Sequence, residues 1–130
     1  MTEPYRAEHI GSLLRPADLL QARSAHQDGR IDRDELRRVE DRSIADILAM
    51  QRAVGLDVVS DGEYRRAGWM GGFWDSVEGF VPHPVTRVTK GHDGPHTVQT
   101  SHPVVAAELK RIGRVSQSEA SFLAANAGAP

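Results

Sequence analysis

Two stretches of this chain place chemically able side chains directly after apolar ones. In "GLDVVSDGEYRRAGW", residues 55–69, the apolar run from Leu56 to Val59 gives way at once to Ser60-Asp61-Gly62-Glu63, and Arg65-Arg66 follow. In "EHIGSLLRP", residues 8–16, Gly11-Ser12 interrupts the sequence between His9-Ile10 and Leu13-Leu14. A carboxylate just past a buried strand is held rigidly, and there it can grip an ammonium group or ligate a metal. Gly62 permits a positive φ or the close approach of a ligand to the backbone. Gly11-Ser12 can offer a backbone N–H and a hydroxyl to a carboxylate or phosphate. Each stretch also has a plainer reading. Asp61-Gly62 suits an ordinary turn, with Glu63 paired to Arg65 or Arg66; Ser12 suits a turn as well, and His9 a satisfied core position. The pairing of two polar strand ends favours chemistry, because ligands gather at the carboxyl ends of strands in parallel α/β proteins.

The elements that would position these residues can be read from the chain. A short strand over Ala7 to Leu14 runs into a loop. Pro16 suits the first position of a helix, with Asp18 in its first turn, and that helix extends to about Gln27 before Asp28-Gly29. Asp32 and Glu35 have the spacing of a capping box. Leu36, Val39, Ile44, Ile47, Leu48 and Val54 keep a helical period, Arg37, Arg38, Glu40, Asp41 and Arg42 fill much of the opposite face, and Gly55 is a natural stop. Leu56 to Ser60 then reads as a strand. "PVTRVTK", "GHDG" and "PHTVQT" predict a hairpin, whereas "HPVVAAELKRIGRV" fits a short helix or a strand. Ser116 and Glu119 suggest a second capping box, opening a helix that runs to Gly128. This alternation of strands with helices predicts an α/β protein with a parallel sheet, yet two strands alone cannot cover their faces or close their edges.

Other groups carry weaker signals. His83, His92, His96 and His102 fall in one short span, but Gly94 and Pro95 break the helical spacing a His pair would need, so exposed loop positions are expected. Trp69, Phe73 and Trp74 suit anchoring of the segment after Asp61, or stacking on a flat ligand. Arg65-Arg66 suits salt bridges to nearby carboxylates, or an anionic ligand.

Composition narrows the function. The 130 residues, 39% hydrophobic and 26% charged, predict one soluble domain. A net charge of −2 argues against nucleic acid or an anionic membrane as the main partner. The chain has no cysteine, which rules out disulfides and cysteine-ligated metals within it. The N-terminus lacks a signal-type apolar region, and no stretch is long and apolar enough to span a bilayer. The cytoplasm is the expected location.

Taken together, "HIGSLLRP", the pattern Glu40-Asp41, Ile44, Asp46, Gln51, Gly55 to Glu63, and "YRRAGW" resemble the cobalamin-independent methionine synthase superfamily, above all its short single-barrel members. The resemblance implies the N-terminal part of a TIM (β/α)8 barrel. Such a barrel usually takes ~250 residues, so residues 1–130 would form a single partial domain, about its opening third. Residues 64–115 would be an irregular excursion with a hairpin, inserted after the second strand, and the family habit favours a strand for "HPVVAAELKRIG". The implied reaction moves a methyl group to the thiol of homocysteine, with zinc favouring the thiolate and a methyl-folate as a possible donor. Ile10, Gly11 and Ser12 would shape the amino-acid pocket, with Ser12 on the substrate carboxylate and Glu63 on its ammonium; His9 and Asp61 would line the same pocket. The family's zinc ligands are a histidine, cysteines and often a glutamate from later strands, and this chain departs from that set. The isolated chain is therefore expected to be inactive or completed by other chains. The alternatives are alkyl transfer to another thiol such as coenzyme M, or a non-catalytic truncated paralogue that self-associates through uncovered barrel edges.

Overall fold

The computed structural model describes residues 7–68 and 70–128. They fall into two compact units. One takes in the described residues through 68 and those from Gln117 on; the other is Met70–Ser116.

The first unit is built on α1, Ala17–Gln27, and α2, Arg33–Ala53. Pro16 stands one position earlier than expected, as the N-cap of α1. The Asp32 side chain caps α2 by accepting from the Glu35 backbone N–H at 2.7 Å, which satisfies one of the open amides of the first turn. Glu35 itself pairs with Arg38 on the surface. Gly55, at φ 83°, closes α2. The Gly55 N–H bonds to Arg52 O at 3.0 Å and the Leu56 N–H to Gln51 O at 3.1 Å, a Schellman arrangement that needs the left-handed backbone glycine adopts without penalty.

The two expected parallel strands reduce to a single parallel bridge, Glu8 with Val58. The Asp57 N–H reaches Ala7 O at 2.9 Å, and the Ala7 N–H reaches the Asp57 carboxylate at 2.7 Å. The segments lie side by side as expected, but with no third strand among the described residues to extend the ladder the pairing stays short.

Leu19, Ile44, Leu48 and Tyr64 form the buried core, with Leu13, Val39, Ile47, Val59, Phe122 and Leu123 packed around it. Each fully buried aliphatic side chain contributes about 1.5–3 kcal/mol. Glu40 corrects the expectation for α2. Its side chain does not belong to the solvent face but is 1% exposed, because at 100° per residue it lies in the same stripe as Leu36 and Ile44. Arg65, itself 5% exposed, meets Glu40 at 3.4 Å and also pairs with Asp41, and Arg23 lies 3.9 Å from Glu40.

In the second unit, α3 (Gly71–Trp74) leads into the antiparallel hairpin β1 (Val77–Gly91) and β2 (Gly94–Arg111). The turn falls at His92-Asp93, as the sequence predicts, but the strands are longer than the alternation near Val85 suggests. "HPVVAAELKR" is strand rather than helix, with a register shift between Glu78 and Phe80. Trp74 packs edge-on against Phe73 and Phe80, and Phe73 lies tilted against Phe80, with ring centroids 4.8–6.1 Å apart. Trp69 lies outside the described residues. His83, His96 and His102 sit on strands rather than loops, with His83 directly opposite His102.

In the first unit, α4 (Gln117–Asn126) follows Ser116. Ser116 has φ 57°, not the extended backbone of a capping box, and the Glu119 carboxylate bonds to Arg66 at 3.1 Å.

Glu40→Gln should destabilise the protein by roughly 2 kcal/mol, because it removes the buried charge that faces Arg23 and Arg65 and leaves the Arg65 guanidinium with Asp41 as its remaining carboxylate. Breaking the exposed Glu35–Arg38 pair with Glu35→Gln should change stability by less than about 1 kcal/mol. Urea unfolding of the two variants checks the contrast.

Candidate functional site

The two polar stretches meet. The Ser12 hydroxyl donates to the Glu63 carboxylate at 2.5 Å, across 51 positions of sequence. Four consecutive residues tie the first stretch to the second. Beside the Ser12 bond, the Leu13 N–H reaches Gly62 O at 3.1 Å, Leu14 O accepts from the Tyr64 hydroxyl at 2.8 Å, and Arg15 donates to Glu63 O at 2.8 Å and Arg66 O at 2.9 Å.

The backbone at this point is unusual. Gly62 and Glu63 both have positive φ, 62° and 56°. For glutamate this left-handed state is uncommon and stores strain. Asp61 stabilises it by accepting from the Glu63 N–H at 3.0 Å. Gly62 has a second constraint: a Cβ there would lie 3.0 Å from Leu13 Cβ and 3.1 Å from the Tyr64 ring. The close approach anticipated at this glycine is thus made by the chain's own Leu13.

The strand end before the turn is held from α2. Gln51, 1% exposed, uses its side-chain amide as a neighbouring strand would use its backbone. Its Nε2 donates to Ser60 O at 2.7 Å, and its Oε1 accepts from the Ser60 N–H at 3.0 Å.

The other sequence-predicted residues surround this contact. His9 is half-buried, and its Nε2 is buried with no hydrogen-bond partner among the described residues. Ile10 is 86% exposed, and Gly11, at φ 95°, is exposed beside it. Asp61 serves the Glu63 turn, so the turn reading and the site reading of "SDGE" describe the same geometry. Arg66 reaches Glu63 at 3.5 Å, whereas Arg65 turns away to Glu40 and Asp41.

Charge around the turn is finely divided. Burial alone would weaken the hold of the Arg66 guanidinium on its proton, but the bond and charge of Glu119, then Glu63 and Asp61, outweigh it and raise the pKa. Burial and the neighbouring Arg15 lower that of Arg23, against the pull of Glu40. Burial also raises the Tyr64 phenol above its ordinary value, with Arg15 opposing. Among the described residues, no group of three or more histidine, cysteine, aspartate or glutamate side chains is placed to hold a metal ion.

From the sequence, Arg15 and Arg23 have no role, Glu40 is expected on the polar face of α2, and Gln51 counts only within the family pattern. A signal was present for the last two: polar residues in the apolar stripe of α2, at positions 40 and 51, must find buried partners. For the arginines no local signal existed, since their partners are backbone carbonyls distant in sequence.

Residues 6–121 match the family model of the catalytic domain of cobalamin-independent synthases, and the chain belongs to that family. It is 40% identical over 79 residues to the uncharacterized protein YxjH of Bacillus subtilis, covering 61% of this chain and 21% of that one. It is 35% identical over 77 residues to a 5-methyltetrahydropteroyltriglutamate–homocysteine methyltransferase of Mycolicibacterium paratuberculosis, covering 59% of this chain and 10% of that one. This chain thus spans about a fifth and a tenth of the length of these two relatives. Among solved structures, it is similar to a candidate vitamin-B12-independent methionine synthase from Listeria monocytogenes (38% identity, TM-score 0.52, 59% of this chain and 24% of that one). It is also similar to a B12-independent methionine synthase from a Shewanella species in complex with selenomethionine (25% identity, TM-score 0.53, 74% of this chain and 27% of that one). The chain's α/β fold is similar to the matching part of these structures. No helix of the described residues is long and apolar enough to cross a membrane.

Gly62→Ala should destabilise the protein by about 1–2 kcal/mol through its left-handed backbone, with the contact to Leu13 adding to that; thermal unfolding measures the loss. Tyr64 also predicts an alkaline effect. Its folded pKa lies above the ordinary 10.0, so its contribution is fully present below that pH and is lost as pH rises through the folded value. Tyr64→Phe should therefore show a shallower decline of urea-unfolding stability above about pH 10 than the wild type.

Proposed function

We propose that this segment supplies the amino-acid-binding rim of a methyltransferase that transfers a methyl group to the thiol of homocysteine. The observation that carries this reading is the direct contact of Ser12 with Glu63. It puts a hydroxyl and a carboxylate side by side, the pair needed to hold the carboxylate and ammonium of one amino acid. The substrate ammonium would replace the Ser12 hydroxyl as the partner of Glu63, and Ser12, released, would donate to the substrate carboxylate. Gly11 leaves room at the backbone, Ile10 offers exposed apolar surface, and His9 adds a buried ring nitrogen that no described group satisfies. Asp61 acts indirectly, by fixing the Glu63 turn. The selenomethionine bound to the Shewanella relative, a close mimic of the methylated product, supports an amino-acid ligand of this class.

In the same reading the segment is the opening part of a TIM barrel in a single partial domain over residues 1–130. The excursion over 64–115, with its hairpin β1–β2, is an insertion after the second strand. The cytoplasm is the setting such a reaction suits. The zinc implied by the resemblance does not fit the described residues, which lack cysteine and offer no convergent set of ligands. The work assigned to these residues is binding and orientation of the amino-acid end, which sets where the thiol lies.

Glu63→Gln removes the charge that faces the ammonium while preserving shape. Calorimetric titration with L-homocysteine should show affinity reduced by about tenfold or more, the scale of one charge-assisted bond. Unchanged affinity would remove Glu63 from the site.

A further inference from the structure

We infer that Arg15 is a positioning residue, which holds the backbone of the Glu63 turn in the left-handed state that brings its carboxylate to Ser12. This rests on the reading of Ser12 and Glu63 as the amino-acid site and adds a residue that the motif itself does not assign.

Glu63 has φ 56°, a state an L-residue with a long side chain leaves unless the surroundings fix it. Asp61 holds the amide side of the residue, accepting from the Glu63 N–H at 3.0 Å. The carbonyl side is held by Arg15. Its Nη2 donates to Glu63 O at 2.8 Å and to Arg66 O at 2.9 Å, so one guanidinium nitrogen bridges both ends of the turn. Arg23 reinforces the far end, with Nη1 3.0 Å from Arg66 O and Nη2 on Tyr64 O. A guanidinium is suited to this role, because it is always charged and each terminal nitrogen carries two N–H groups in a fixed plane, enough to serve two carbonyls.

Arg15 also stands three residues after Ser12 on the same segment. Whatever fixes Arg15 on the turn fixes the distance from the Ser12 hydroxyl to the Glu63 carboxylate. The side chain therefore sets the register between the two halves of the site without touching the ligand.

The test compares variants of the full chain with L-selenomethionine as the probe, by calorimetry, and follows the Cα chemical shift of Glu63, which reports its backbone torsion. Arg15→Met should move that shift away from its left-handed value and weaken binding by about tenfold, the scale of one lost charge-assisted bond. Arg15→Lys, which still reaches one carbonyl, should recover part of both. Arg52→Met serves as the control. It cuts two guanidinium–carbonyl bonds elsewhere, to Asn126 O and Ala127 O, and should change neither readout. Wild-type shift and affinity in Arg15→Met, or an equal loss of affinity in Arg52→Met, would overturn the inference. Should Arg15→Met fail to fold, Arg15→Lys decides the matter, since a wild-type shift and affinity there would equally overturn it. If Glu63→Gln binds the probe as the wild type does, the amino-acid reading falls instead, while the Cα shift alone still reports whether Arg15 fixes the turn.

Discussion

The structure depends on a clasp between two short segments, residues 12–15 and 62–66. Every one of Ser12, Leu13, Leu14 and Arg15 bonds to the second segment, by hydroxyl, amide, carbonyl and guanidinium in turn. Individually such bonds contribute only about 0.5–3 kcal/mol net. Together they hold two consecutive residues at positive φ, one of them a glutamate, which local preference alone would not sustain. The parallel bridge at Glu8 and Val58 is too short to do this; the clasp supplies the register that a longer ladder would otherwise provide.

Helix α2 is the scaffold on which this clasp rests. Its apolar stripe carries Leu36, Ile44 and Leu48 into the core, and the same stripe carries Glu40 and Gln51. Gln51 binds Ser60 as a strand neighbour would. Glu40 anchors Arg65, so the turn is fastened at both ends to one helix. A buried ion pair adds little stability over an apolar contact; what these groups visibly do is fix Ser60 and Arg65 against one helix. Tyr64 joins the two systems: its ring lies in the core, and its hydroxyl reaches the first segment of the clasp.

The proposed amino-acid binding rests on that rigidity. A flexible carboxylate at a strand end would lose binding energy to ordering, whereas one fixed by backbone, capping aspartate and guanidinium is already placed. The chain belongs to the family of cobalamin-independent synthase catalytic domains, and in the proposed function residues 9–12 and 61–63 form part of the amino-acid rim. The hairpin β1–β2 belongs to the second unit, where Phe73, Trp74 and Phe80 pack on one another.

The sequence by itself determined the local elements wherever the cause was local. The Asp32 cap, the Gly55 stop, the helical period of α2 and the His92-Asp93 turn are all contained within a few residues, so their energetics are readable from neighbours. It also singled out Ser12, Asp61 and Glu63, because polar groups directly after apolar runs are conspicuous. It misplaced Glu40, and it assigned no role to Arg15, Arg23 or Gln51. Only the tertiary structure decided those, together with the direct contact of Ser12 and Glu63. The physical reason is that their partners are backbone groups and buried charges brought near by folding, and a guanidinium or amide in sequence does not show which distant carbonyl will need it.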